Sequence, residues 1–185
     1  MPRTRTRLRA VTFAAAAAVV VGIGAVTYQA SAAETDVSAQ SRPRPVASPS
    51  PIDPPAGLRK IGSFRVVSGT QTYTCAAGSF AGASVPEAKL AGPGGLIHHF
   101  KGPSWQSERD GSLVTATKVG ERTRPGTINE LLLQVNGHSG STTGLLAKAS
   151  YIQRLYTSGG VAPAGTCTDG ATKAVRYGAL YVFWG

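Results

Sequence analysis

Tyr151-Ile-Gln-Arg-Leu-Tyr-Thr-Ser-Gly-Gly-Val-Ala-Pro-Ala-Gly-Thr-Cys167 opens as a strand and closes as a loop. Its first seven residues are β-branched, aromatic or long, whereas the rest carries three glycines, a proline and two alanines, the chemistry of turns. Strand alternation places Ile152, Arg154 and Tyr156 on one face and Tyr151, Gln153 and Leu155 on the other. An arginine between two large apolar neighbours has two readings. It is a structural guanidinium paired with Glu87, Asp110, Glu130 or the carbonyls of the 159–165 loop, or it grips a ligand's carboxylate or phosphate. The structural reading ranks first.

Working outward, the same periodicity recurs on both sides. Residues 172–184 read as a strand with Val175, Tyr177, Ala179, Tyr181 and Phe183 on one face. Upstream, 58–67 and 70–75 read as two strands about a Ser68-Gly69 turn. Further strands are expected over 86–90, 96–100, 112–119 and 128–135, then over 145–157. Leu131-Leu132-Leu133 suggests a strand covered on both faces. Turns fall at Gly92-Pro93-Gly94-Gly95, Asp110-Gly111 and residues 136–144. With no helical periodicity and no internal repeat, the expected fold is all-β. It is a single antiparallel β-sandwich or barrel of about 7–8 strands.

The chain divides by composition. Residues 1–32 read as a signal peptide, with basic Arg3–Arg9, an apolar run from Ala10 and a small-x-small site at Ala30-Ser31-Ala32. Retention as a membrane anchor is the alternative, because the uncharged run to Ala33 is long enough to span. The route is general secretion, since no twin-arginine pair is present, and either way the domain is placed outside the cell. Residues 33–55 form a Pro-rich linker, in which Ile52 is available to pack against the domain. Residues 56–185 form the β-rich domain.

The formal charge of +10 includes four arginines of the leader; the remainder carries 15 basic and 9 acidic residues without a basic run. That dispersed balance excludes a nucleic-acid groove and favours weak attraction to anionic surfaces. Two cysteines in an exported chain are expected to pair as a Cys75–Cys167 disulfide, worth about 4–5 kcal/mol as an upper figure.

In sequence order the motifs resemble a secreted bacterial and fungal family, the domain of unknown function 3455. The matching pieces are Pro-Pro-Ala-Gly-Leu (54–58), Thr-Tyr-Thr-Cys (72–75), Pro-Glu-Ala-Lys-Leu (86–90), Gly-Pro-Ser-Trp (102–105) and Asp-Gly-Ser (110–112). Glu-Leu-Leu-Leu (130–133), Tyr-Ile-Gln-Arg-Leu-Tyr-Thr-Ser-Gly-Gly (151–160) and Tyr-Val-Phe-Trp (181–184) complete the series. Relatives commonly carry a Trp after the first cysteine, where this chain has Phe80. The resemblance implies no activity. A malate dehydrogenase label attached to some relatives finds no support here, for want of a G-x-G-x-x-G and of βαβ alternation.

The ligand-binding candidates are Arg154, Trp105, His98, His99 and Tyr151. Adjacent His98 and His99 point to opposite faces of a strand, so they do not share a metal. With His138 as the only other histidine, no metal and no cofactor are expected. Ser139 lacks the second glycine of a hydrolase elbow. The aromatics Trp105, Tyr151, Tyr156, Tyr177, Tyr181 and Trp184 read as core first and as a sugar-stacking platform second. The leading function is an extracellular ligand- or glycan-binding module, its partner a cell-wall glycan or another anionic ligand. The alternatives are an extracellular hydrolase or lyase with a His–carboxylate site, and a structural envelope protein.

Overall fold

The computed structural model describes residues 48–185; the expected leader and most of the Pro-rich linker lie outside them. Eight strands follow in chain order: β1 (Lys60–Thr74), β2 (Val85–Gly92), β3 (Gly95–Phe100), β4 (Ser104–Ser107), β5 (Leu113–Arg122), β6 (Glu130–Ser139), β7 (Tyr151–Gly159) and β8 (Thr172–Trp184). Each pairs antiparallel with its sequence neighbour, and β8 returns to β1, so the sheet closes into an eight-stranded up-and-down barrel. Closure leaves no free sheet edge. Of the two expected architectures, the barrel is the one formed.

The inward face is the apolar half of each alternating strand. Phe64, Leu90, Ile97, Val114, Leu133, Ile152 and Phe183 are buried together as the core. On β8, Tyr177, Ala179, Tyr181 and Phe183 are all buried, as the period-two pattern requires. Three expectations change. Residues 58–67 and 70–75 form one strand, because Ser68-Gly69 sits in an irregular register and bends β1 without reversing it. β6 continues through Gly137-His138-Ser139, and residues 145–150 turn instead of extending β7. Finally, β7 bulges after Leu155. There Tyr156 takes a φ of 50° and is 65% exposed, so it leaves the face of Ile152 and Arg154.

The two ends of the barrel differ. One end is filled: Leu146 and Ala149, from the segment before β7, are buried in the core. Asp110 holds that segment in place. Its carboxylate accepts from Ser112 N–H and O–H at 3.0 and 2.6 Å and from Leu145 N–H at 3.0 Å. These bonds, the Ser112 hydroxyl's first, lower its pKa to about 2. The other end gathers the loops after β1, β3, β5 and β7 and stays open.

Ile52 is buried on the outside of the barrel. Gln153 Nε2 donates to its carbonyl at 2.6 Å, while Trp184 Nε1 donates to Gln153 Oε1 at 2.9 Å. A side chain at Gly120 would collide with the Pro51 carbonyl beside it. This segment is therefore part of the domain, and Leu132, on the outward side of β6, is buried at 7% exposure. The triple leucine is covered on both faces.

Candidate functional site

The open end leads into a cavity of about 920 Å³, within the roughly 300–1,000 Å³ usual for small-ligand sites. Because alternate residues of every strand face inward, the cavity collects one side chain after another from β1, β3, β4, β5, β6, β7 and β8. Trp105, Tyr181, Leu131, Leu133 and Ala116 give it apolar surface; Gln71, His99 and Arg154 give it polar groups; Lys101, Lys118 and Glu121 also line it.

Arg154 is part-buried, with Nε and Nη2 donating to the Asn129 carbonyl at 3.1 and 2.8 Å. Among the described residues it has no carboxylate partner. Each acid expected to pair with it is engaged elsewhere. Glu87 Oε1 meets His98 Nε2 at 2.6 Å on the outer surface. Asp110 braces the closed end. Glu130, 1% exposed, faces outward to Arg122 and Arg124 and accepts from Tyr156 N–H at 2.6 Å. Burial opposes ionisation of Glu130, but these bonds prevail and hold its pKa below the usual range. The expected structural ion pair of Arg154 is thus replaced by a main-chain tether, and its charge is left facing the cavity.

His99 is 3% exposed. Its Nδ1–H donates to the Ser104 carbonyl at 2.9 Å, which leaves Nε2 as the acceptor nitrogen. Burial, opposed by that bond and reinforced by nearby Arg154, lowers its pKa to about 4. The imidazole is therefore neutral at physiological pH.

Two donors of the cavity wall lack acceptors. Trp105 Nε1 and Gln71 Nε2 are buried without a partner among the described residues; Gln71 Oε1 accepts from Ser84 O–H at 2.7 Å. Buried polar groups are rarely left unpaired. The phenols of Tyr177 and Tyr181 meet at 3.4 Å, and burial raises both pKa values, so both stay protonated.

Of the residues singled out from the sequence, Arg154, Trp105 and His99 meet in the cavity. His98 lies on the opposite face of β3, and Tyr151 stands across from Trp184 on the outward side of β7. Sequence reasoning missed Gln71, although a glutamine alternating with Tyr73 on an inward face was a usable sign. It also missed Lys101 and Lys118. Among the described residues no group of three or more metal-binding side chains occurs.

The Cys75–Cys167 disulfide is formed, with Cα atoms 6.1 Å apart. It joins the loop after β1 to the loop before β8, both of which border the open end. Tyr73 adds a second tie there, its hydroxyl donating to the Gly160 carbonyl at 2.7 Å.

The family model described as "Protein of unknown function (DUF3455)" matches residues 88–185, just over half of the chain. That span includes His99, Trp105 and Arg154 and leaves Gln71 and Cys75 upstream. No curated protein matches the chain, and no solved structure does. By its sequence, and with the eight-stranded disulfide-linked barrel as its form, the chain belongs to the DUF3455 family.

Proposed function

We propose that the domain is exported and binds a small organic molecule inside its barrel. The observation that carries this reading is the open cavity of about 920 Å³, walled in part by Trp105, Tyr181, Leu131 and Leu133 and furnished with buried donors that have no acceptor. A purely structural barrel of this size gains stability by filling its interior with side chains. This one is filled at one end only. Export is supported by the leader-like first 32 residues and by the disulfide, which suits an oxidising compartment.

Other readings find less support. A glycan platform needs a row of exposed aromatics, whereas Trp105, Tyr177 and Tyr181 are buried, Tyr151 and Trp184 are half-buried, and Tyr156 is the one exposed aromatic among the described residues. A hydrolase or lyase of the His–carboxylate kind needs an acid beside His99. The carboxylate in the cavity wall, Glu121, is engaged by Lys118 at 2.8 Å and Asn129 at 3.4 Å.

The test is fluorescence titration of the purified chain with the neutral dye N-phenyl-1-naphthylamine. Energy transfer from Trp105 should accompany saturable dye enhancement. A substitution that fills the cavity, Ala116→Phe, should abolish both while the fold is retained. No saturable signal with the wild-type chain would overturn the reading.

A further inference from the structure

Resting on that reading, we infer that the ligand is an apolar carboxylic acid held as its anion, with Arg154 as its counter-charge and the Trp105 and Gln71 N–H groups as neighbouring donors. Three observations on different strands support this.

The first is the state of Arg154. A guanidinium lying in a partly apolar cavity without an acid is costly unless something neutralises it. Two of its N–H groups are committed to the Asn129 carbonyl, which fixes the plane of the fork. The guanidinium also faces the Tyr181 hydroxyl, and its remaining N–H groups on Nη1 and Nη2 are available to an oxygen ligand.

The second is the sign of the neighbouring groups. Trp105 Nε1 can only donate, and Gln71 presents its amide nitrogen without a partner. Both sit in the same wall as Arg154. With Glu121 of the same wall already engaged by Lys118 and Asn129, these unpartnered donors match an acceptor-only head such as a carboxylate.

The third is the amount of charge. His99 is neutral because it is buried, at 3% exposure, between the Trp105 and Tyr181 rings. In the strand-borne wall beside it, Arg154 supplies the one positive charge that no carboxylate neutralises. Lys101 lies in the turn after β3, and Lys118 is paired with Glu121. One fixed charge balances a monoanion, whereas a phosphate monoester brings nearly two. Trp105, Tyr181, Leu131 and Leu133 then accommodate an apolar body.

The experiment uses the full chain at pH 7.5, with N-phenyl-1-naphthylamine as the displaced reporter and two competitors of equal length, decanoate and 1-decanol. The acid should compete about 10-fold to 100-fold better than the alcohol, the range a charge-assisted hydrogen bond supplies. Arg154→Met should bring the two competitors together, and Arg154→Lys should retain part of the preference. Circular dichroism confirms that each variant is folded. The wild-type comparison needs no variant, so a misfolded Arg154→Met does not suspend the test. Equal competition by acid and alcohol would overturn the inference and leave the binding cavity standing. A preference that persists in folded Arg154→Met would also overturn it, moving the anchor to a lysine. If the dye itself fails to bind, the cavity reading falls with it.

Discussion

His99 lies flat against Trp105, with ring centroids 4.3 Å apart and planes 4° from parallel, and Tyr181 meets both rings edge-on at 60°. This stack lets the barrel hold an imidazole in its apolar interior, with Nδ1 anchored on the Ser104 carbonyl. It also makes His99 a reporter of pH.

The folded pKa of His99 is lowered to about 4 from an ordinary value of 6.5. Between those pH values the unfolded chain binds the extra proton and the folded chain does not. The stability tied to His99 is therefore complete above about pH 6.5 and declines as pH falls toward 4, by about 3 kcal/mol in all. His99→Phe should remove that part of the slope while keeping the ring against Trp105. Urea midpoints for both proteins at pH 5 and pH 7.5 check this; equal pH dependence would show that His99 is not neutral in the fold.

Glu130 and Arg154 stand close along the same strand pair, yet they should respond unequally to truncation. Removing the Arg154 guanidinium costs a main-chain tether but relieves an uncompensated charge, so Arg154→Ala should destabilise by only about 1 kcal/mol. Glu130→Ala removes three side-chain bonds from the two arginines and the acceptor for Tyr156 N–H at a bulge with positive φ. It should cost about 2–4 kcal/mol. Thermal melts of the pair check the order, and a larger loss at Arg154 would restore its structural role.

Asp110 holds the closed end, and its pKa of about 2 lies below the ordinary 3.8. A depressed carboxylate contributes stability that is present above its unfolded pKa and lost as pH falls from about 3.8 toward 2. Asp110→Ala should lower stability at neutral pH by about 1–3 kcal/mol through the orphaned Ser112 and Leu145 N–H groups. It should leave dye binding at the far end unchanged. Loss of dye binding in a folded Asp110→Ala protein would mean that the two ends are coupled.

Ile52 belongs to the barrel despite the prolines around it. With its side chain 2% exposed, Ile52→Ala should cost about 2–4 kcal/mol. A chain begun at residue 58 should melt well below one begun at residue 48. Coincident melts would show that the Gln153–Ile52–Trp184 contacts add nothing to stability.

The strands and their inward faces were legible because period-two alternation is a local property. On β8 it placed Tyr177, Ala179, Tyr181 and Phe183 correctly. Closure was not legible, since pairing of β1 with β8 depends on contacts as remote in sequence as Lys60 with Trp184. The reading of Arg154 shows the same divide. Its inward direction followed from Ile152, but its partner depended on contacts remote in sequence: Glu130 faces outward with Leu132, held by Arg122, Arg124 and the Tyr156 N–H. Gln71 was passed over for a different reason: its alternation with Tyr73 gave the inward face, but only the empty space beside it gives that polar group a use.

The disulfide also bears on how the barrel is connected. Seven of the eight strand junctions are bridged by the chain itself, through turns and loops. The eighth, between β1 and β8, has no such link. Cys75 follows the last residue of β1, its N–H bonds the Ala171 carbonyl just before β8 at 2.7 Å, and its sulfur is joined to Cys167. That bond supplies the missing link. Every neighbouring pair of strands is then covalently joined at one end, and the oxidised barrel is a ring in which the first and last strands meet as a hairpin does.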